Sequence, residues 1–322
     1  MPGTGNAPGQ REGIKSGARG HEKDESIGAA ARTRMVMGMA GTLSRSMEIF
    51  RESLGVLKKD KEMVLFPIIS SLVMLALTAS FFVPVVLLSG VRNGDFDSAN
   101  PLYYVLLFLF YLVGYFVVIF FNTGLIACAH IRLNGGDPSF GDGMRYAAAN
   151  LGKIAGWSLI SATVGMILQA LRERGGIIGR TAAGIFGLAW NLITFFVIPI
   201  MVFEGLGVIE SIKGSAALFK KTWGENVVLR FSLGLIMFLL GLVGIVPILL
   251  AALTKSAAVI VIVGAVVVLY WFTLGILGAS LTGIFAAALY NYARTGNVPH
   301  GFSPVVIAGA FEPKAARGLF SR

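Results

Sequence analysis

A chain of 322 residues that is 55% hydrophobic and 14% charged, with a mean hydropathy of +0.76, holds more apolar side chains than one water-soluble core can bury. Its net charge of +10 excludes little alone, but the basic residues flank apolar runs and form no continuous patch, which points to lipid headgroups and away from nucleic acid. The single cysteine, Cys128, lies inside an apolar run, so an internal disulfide and a cysteine-based metal site are excluded and a small buried hydrophobe remains.

Residues 1–34 are rich in Gly, Arg, Glu and Ala and lack the apolar stretch of a signal peptide, so residues 1–40 are expected to form an uncleaved, disordered cytoplasmic leader, with Met35, Met37 and Met39 as alternative starts. A membrane domain over 41–295 follows, then a cytoplasmic tail over 296–322. A helix rises about 1.5 Å per residue and must cross about 30 Å of hydrocarbon, so a span needs about 20 apolar residues. Six runs qualify: 63–89, 102–129, 154–171, 181–203, 231–253 and 257–289. Arg92, Asp95 and Asp97 sit between the first two, and a turn with Arg172, Glu173, Arg174 and Arg180 separates the third from the fourth. The sixth run exceeds one perpendicular crossing, which predicts tilt or an extension into the cytoplasm. Each Leu, Ile, Phe or Val at the bilayer centre contributes about −0.3 to −0.6 kcal/mol, whereas one Arg or Asp costs about 2.5–3.5 kcal/mol, so runs this clean insert.

Between the hairpins, apolar residues recur at steps of three and four: Leu43, Met47, Phe50, Leu54 and Leu57 before span one; Phe140, Met144, Ala147, Leu151 and Ile154 before span three; Ile209, Ile212, Ala216, Phe219 and Trp223 before span five. Their endings match, with Lys58-Lys59 paralleling Lys220-Lys221 and, more weakly, Lys153. The pattern predicts an all-α polytopic bundle with three amphipathic helices and a threefold repeat of amphipathic helix plus transmembrane hairpin. Those helices either lie in the headgroup layer, with Lys58, Lys59, Lys220 and Lys221 on lipid phosphates, or pack together as a cap; periodicity leaves both open. Asp137, followed by Pro138, reads as the N-cap of the second amphipathic helix. With the N-terminus inside, 22 of the 27 Lys and Arg residues fall on the cytoplasmic side, which predicts both termini in the cytoplasm of a multi-pass cell membrane protein; Arg172, Arg174 and Arg180 oppose the rule locally.

The segments FRESLGVLKKDKEMVLFP, GGDPSFGDGMRYA, FFVIPIMVFEG and IKGSAALFKKTWGE resemble an uncharacterised family of prokaryotic multi-span membrane proteins. More loosely, the helix-then-hairpin plan is similar to the membrane domain fused to some bacterial glycerophosphodiesterases, although no phosphodiesterase domain is present. The likeness covers about residues 40–295. It implies a six-helix membrane fold and brings no catalytic residue; the leader departs from the compact start of that family.

Chemistry is sparse. His21, His130 and His300 are the only histidines, so no His-Glu-x-x-His zinc helix exists. Gly156-Trp157-Ser158 suits helix packing better than an intramembrane serine protease, since no later span offers a histidine base. No phosphate-binding Gly-x-x-x-x-Gly-Lys loop occurs, and paired membrane carboxylates are missing. Candidate polar positions are Asn122, Asn191, Thr194, Ser158, Ser161 and Thr163 in the spans, where interhelical hydrogen bonding competes with a polar cavity. Glu204 closes span four and Arg230 opens span five, which makes them a candidate ion pair at the interface. Gly275, Ala279 and Gly283 form a small-residue ladder in span six, as do Gly152 and Gly156 in span three. The expectation is a non-enzymatic membrane scaffold or accessory protein without cofactor or metal, whose partners are membrane lipids and possible further copies or proteins but no nucleic acid. The alternative is a permease or channel for a small or lipid-like solute, which a polar midplane cavity would favour.

Overall fold

The computed structural model describes residues 47–88, 101–223, 232–304 and 306–307. The whole leader with Met35, Met37 and Met39, Leu43 of the first amphipathic stripe, the loop with Arg92, Asp95 and Asp97, Arg230 and the end of the tail lie outside them. Every regular element among the described residues is helical. Helix α1 covers 47–59, and a 3-10 turn at Lys61–Val64 leads into α2 (Leu65–Leu88), which is followed by α3 (Pro101–Leu133). The second unit is α4 (Phe140–Ala149), α5 (Leu151–Arg174), α6 (Gly176–Ile193) and α7 (Val197–Phe203); the third is α8 (Val208–Trp223), α9 (Ser232–Val243), α10 (Ile245–Leu253) and α11 (Ala257–Thr295). Amphipathic helix plus hairpin thus recurs three times. Six segments are long and apolar enough to span a bilayer: Lys61–Phe82, Tyr104–Leu133, Leu151–Arg174, Gly176–Phe203, Ile236–Leu253 and Ala257–Thr295. The chain is a multi-pass helical membrane protein.

Several boundaries differ from expectation for identifiable reasons. The predicted polar turn between spans three and four is helical on both sides of Gly175, so Arg172 and Arg174 end α5 while Arg180 sits in α6. A Cβ on Gly175 would lie 2.5 Å from the Gly179 Cα and 2.7 Å from the Leu171 carbonyl oxygen, so only glycine permits so tight a reversal. Span four breaks at residues 194–196, where Pro199 cannot donate to the Phe195 carbonyl. Ser215 of α8 repairs the break: its hydroxyl accepts the Phe196 N–H at 3.0 Å and donates to the Ile193 carbonyl at 2.5 Å. Span five breaks likewise at Gly244, ahead of Pro247. There the Tyr270 hydroxyl donates to the Leu240 carbonyl at 2.6 Å and the Trp271 indole to that of Gly241 at 3.1 Å.

Asp137 is not the cap of α4. Ser139 occupies that position, accepting the Asp142 N–H while the Asp142 carboxylate accepts the Ser139 N–H, and Asp137 is drawn instead to Arg132. The reciprocal box at the Ser139-to-Asp142 spacing satisfies two terminal N–H groups, which a lone Asp137 would not.

The largest buried cluster lies at the end of the bundle where the amphipathic helices gather. It joins Val56 and Leu57 of α1, Phe66 of α2, Leu125 and Leu133 of α3, Ile200 of α7, Leu281, Ile284 and Leu289 of α11, and Phe302 and Ile307 beyond it. The apolar face of α1 is therefore spent on protein, with Val56 2% and Leu57 4% exposed, which selects the cap for that helix. Helix α4 crosses α3 at backbone contact: a Cβ on Gly143 would stand 2.6 Å from the Gly124 carbonyl oxygen and 2.7 Å from Cys128 Sγ. Of the predicted small-residue ladders only part is used. Gly283 meets Leu125 and Gly156 meets Val208, whereas Gly275 and Gly152 have nothing within 4 Å.

Candidate functional site

The second helices of the three hairpins, α3, α7 and α11, converge at the capped end, and their last turns carry the densest set of polar groups. Glu204 follows α7; Tyr290 and Arg294, four residues apart, lie on one face of α11. The Tyr290 hydroxyl donates to Glu204 Oε1 at 2.9 Å, and Arg294 bridges Oε2 of the same carboxylate. Phe203 stacks on His130 with ring centroids 4.0 Å apart and stands 5.7 Å from Tyr290, so an imidazole, a phenol and a carboxylate share one wall. His130 Nδ1 is buried and finds no hydrogen-bond partner among the described residues. The carbonyls left open where α7 ends are taken by Lys153, whose ammonium donates to Gly205 at 2.8 Å and to Met201 at 3.3 Å. Asn291 donates to Asn134 at 3.1 Å, tying the ends of α11 and α3.

A second network joins the first two units. Arg132, in the last turn of α3, bridges the buried Asp60 between α1 and α2 and the exposed Asp137. The Phe140 N–H donates to the Glu62 carboxylate at 2.7 Å. The Ser139 hydroxyl and then its N–H hold the Asp142 carboxyl below the usual carboxylate range, with Arg145 assisting. Among the described residues no group of three His, Cys, Asp or Glu is placed to hold a metal ion.

The structure joins Glu204 to Arg294 and Tyr290; its expected partner Arg230 lies outside the described residues. Asn122 is half-buried between α3 and α11, its Oδ1 3.4 Å from where a Cβ on Gly283 would be. Asn191 faces outward, next to Trp190, which stacks on Trp157 at 5.8 Å. Lys58 and Lys59 are exposed at the end of α1 and Lys220 on α8, where Lys221 follows it in the chain. Sequence reasoning missed Tyr290, Arg294, His130, Lys153 and the Arg132–Asp60 bridge. The four-residue spacing of Tyr290 and Arg294, at the end of a helix too long for one crossing, was a usable signal. Arg132 and Asp60, 72 residues apart, gave none.

Among the described residues, several span hydroxyls are turned onto their own backbone. Thr123, Ser158, Thr163, Thr194 and Ser280 each donate to the carbonyl four residues back in their own helix. A groove of about 500 Å³ opens between α2 and α11, walled by Met74, Leu75, Val268, Leu269 and Phe272. Its two hydroxyls, Ser71 and Thr78, are also turned onto their own backbone.

A comparison with known protein families matches residues 101–301, from the second span to the sixth, to a family of unknown function. No curated protein matches the chain, so the looser likeness to glycerophosphodiesterase membrane domains gains no support.

Proposed function

From the premise that this chain belongs to the DUF6159 family of unknown function, we propose that it is a non-enzymatic scaffold or accessory protein of a prokaryotic cell membrane, with both termini in the cytoplasm. The observation that carries this reading is that charged groups of the capped end and several span hydroxyls are engaged within the protein. Glu204 is engaged on both oxygens by Tyr290 and Arg294, Arg132 by Asp60 and Asp137, and the hydroxyls of Ser158 and Ser280 by their own helices. A carboxylate so bound, beside a phenol only 5% exposed, is poorly placed to shuttle protons and well placed to lock helices. The excess of Lys and Arg at the capped end supports the orientation, and Lys58, Lys59, Lys220 and Lys221 meet anionic headgroups of the cytoplasmic leaflet.

Orientation is tested by single cysteines in a Cys128→Ala background. Met47→Cys on α1 should react with a membrane-impermeant maleimide only after cells are broken, and Arg180→Cys at the hairpin tip in intact cells; the reverse pattern overturns the topology. A second reading, a permease for a lipid-like solute, is favoured by the groove between α2 and α11. Proteoliposomes decide between them: the scaffold reading expects fluorescent-lipid exchange and small-solute efflux at the rate of protein-free vesicles, and protein-dependent flux overturns it.

A further inference from the structure

The arginines of the middle hairpin are not absorbed by the reading above. Arg172, Arg174 and Arg180 surround the reversal at Gly175, on the face of the bundle remote from α1, and all three are exposed. Among the described residues none of them forms a salt bridge. The neighbouring carboxylate in the chain, Glu173, is held by Gln169 at 2.6 Å within the same helix. Arg174 donates to the Tyr104 hydroxyl at 3.1 Å, which orients its guanidinium across to α3. The Arg172 side chain runs back along the hairpin until its Nη2 stands 4.0 Å from where a Cβ on Gly187 would be, about three turns into α6. Three cations are thus placed from the tip downward in a segment whose helix α5, with 24 residues, is about 36 Å long, little more than the hydrocarbon it crosses.

Between these cations the tip exposes two large apolar residues, Ile177 at 83% and Ile178 at 84%. Water alone would solvate the arginines but leave the isoleucines costly. Acyl chains alone would cover the isoleucines and strand the arginines. A phospholipid supplies both, a phosphate for the planar donor forks of arginine and hydrocarbon beneath it for the isoleucines.

We propose that the α5–α6 tip is a docking surface for anionic phospholipid of the leaflet opposite the capped end. Arg174 and Arg180 take the headgroup, and Ile177 and Ile178 insert among the acyl chains, while Arg172, directed down α6, is not part of the site. The site accounts for the local breach of the positive-inside pattern, because cations held by lipid phosphate at the far face are anchors for a short hairpin. It is separate from the lysines of the capped end.

The test is native mass spectrometry of the purified full chain in detergent, titrated with phosphatidylglycerol or phosphatidylcholine, which counts retained lipid. The wild type should retain phosphatidylglycerol preferentially and lose that preference as salt rises. Replacing arginine by glutamine should weaken retention about fivefold per position, so Arg180→Gln gives one step and Arg174→Gln with Arg180→Gln two. Arg174→Lys with Arg180→Lys should keep most of the preference, and Ile177→Ser with Ile178→Ser should weaken retention of either lipid. Arg180→Gln, at an exposed position of α6, serves if the double variant does not fold. Equal retention by wild type and Arg180→Gln, each with an unchanged melting temperature, overturns the proposal. Displacement of the lipid by inorganic phosphate at equal concentration overturns it too, since a soluble anion would then be the ligand.

Discussion

Glu204 shows what a single charge does at the edge of a bilayer. Its carboxylate accepts from Tyr290 and is bridged by Arg294, so truncation strands a buried phenol and an unpaired guanidinium together. Glu204→Ala should lower stability by about 1–3 kcal/mol, read as a fall in detergent melting temperature, and Glu204→Gln by less, because an amide still accepts from Tyr290. In a double-mutant cycle Glu204→Ala and Arg294→Ala should cost less together than their sum. Asp142 offers a pH-dependent counterpart. Its carboxyl is held below the ordinary range by Ser139, so its contribution is present at neutral pH and is lost as pH falls through that lowered range. Amide exchange at the start of α4 should therefore accelerate on acidification, and Asp142→Asn should abolish the pH dependence. The position of Glu204 at the end of span four was legible in the sequence, but its partner was not, because Tyr290 is 86 residues away and only the fold brings them together. Asp142 was missed because Asp137 was read as the cap, although the Ser139-to-Asp142 spacing carried the signal.

At the scale of elements, hydrophobic period and length foretold all six spans, since each must satisfy its backbone within itself and exclude charge. They were weaker on breaks. The residues 194–196 interruption was foreshadowed by Pro199, but its repair by Ser215 comes from another unit of the chain. Ser215→Ala should leave the Phe196 N–H and the Ile193 carbonyl without those partners and cost about 1–3 kcal/mol, visible as loosened α8 protection in hydrogen exchange. The crossing of α3 and α4 makes a sharper demand. A methyl group on Gly143 would meet Phe66, the Gly124 carbonyl and Cys128 at once, so Gly143→Ala should lower stability by about 1–3 kcal/mol, whereas Gly152→Ala, with nothing within 4 Å, should be tolerated. A melting-temperature comparison of the two variants checks the pair.

At the scale of the whole molecule, the threefold plan was visible because each unit repeats an amphipathic stretch and a lysine-bearing end. What covers the apolar stripes was not, since a stripe buried in protein and one buried in lipid have the same periodicity. For α1 the answer is protein: Val56 and Leu57 share a core with Phe302 and Ile307 from the far end of the chain. Residues after α11 close over the first unit, where the His300 N–H donates to the Leu133 carbonyl at 3.0 Å and the Ser303 N–H to the Glu52 carboxylate at 3.2 Å.

That placement of the main core has a consequence for how the protein comes apart. A water-borne chaotrope reaches the terminal layer directly but is kept from the spans by micelle or bilayer, and each span retains its own backbone hydrogen bonds. Urea should therefore erase the aromatic near-ultraviolet signal from the region of Phe203 and Tyr290 while most far-ultraviolet ellipticity persists, so denaturation would run in two separable steps, the lid dissolving first and the rods outlasting it.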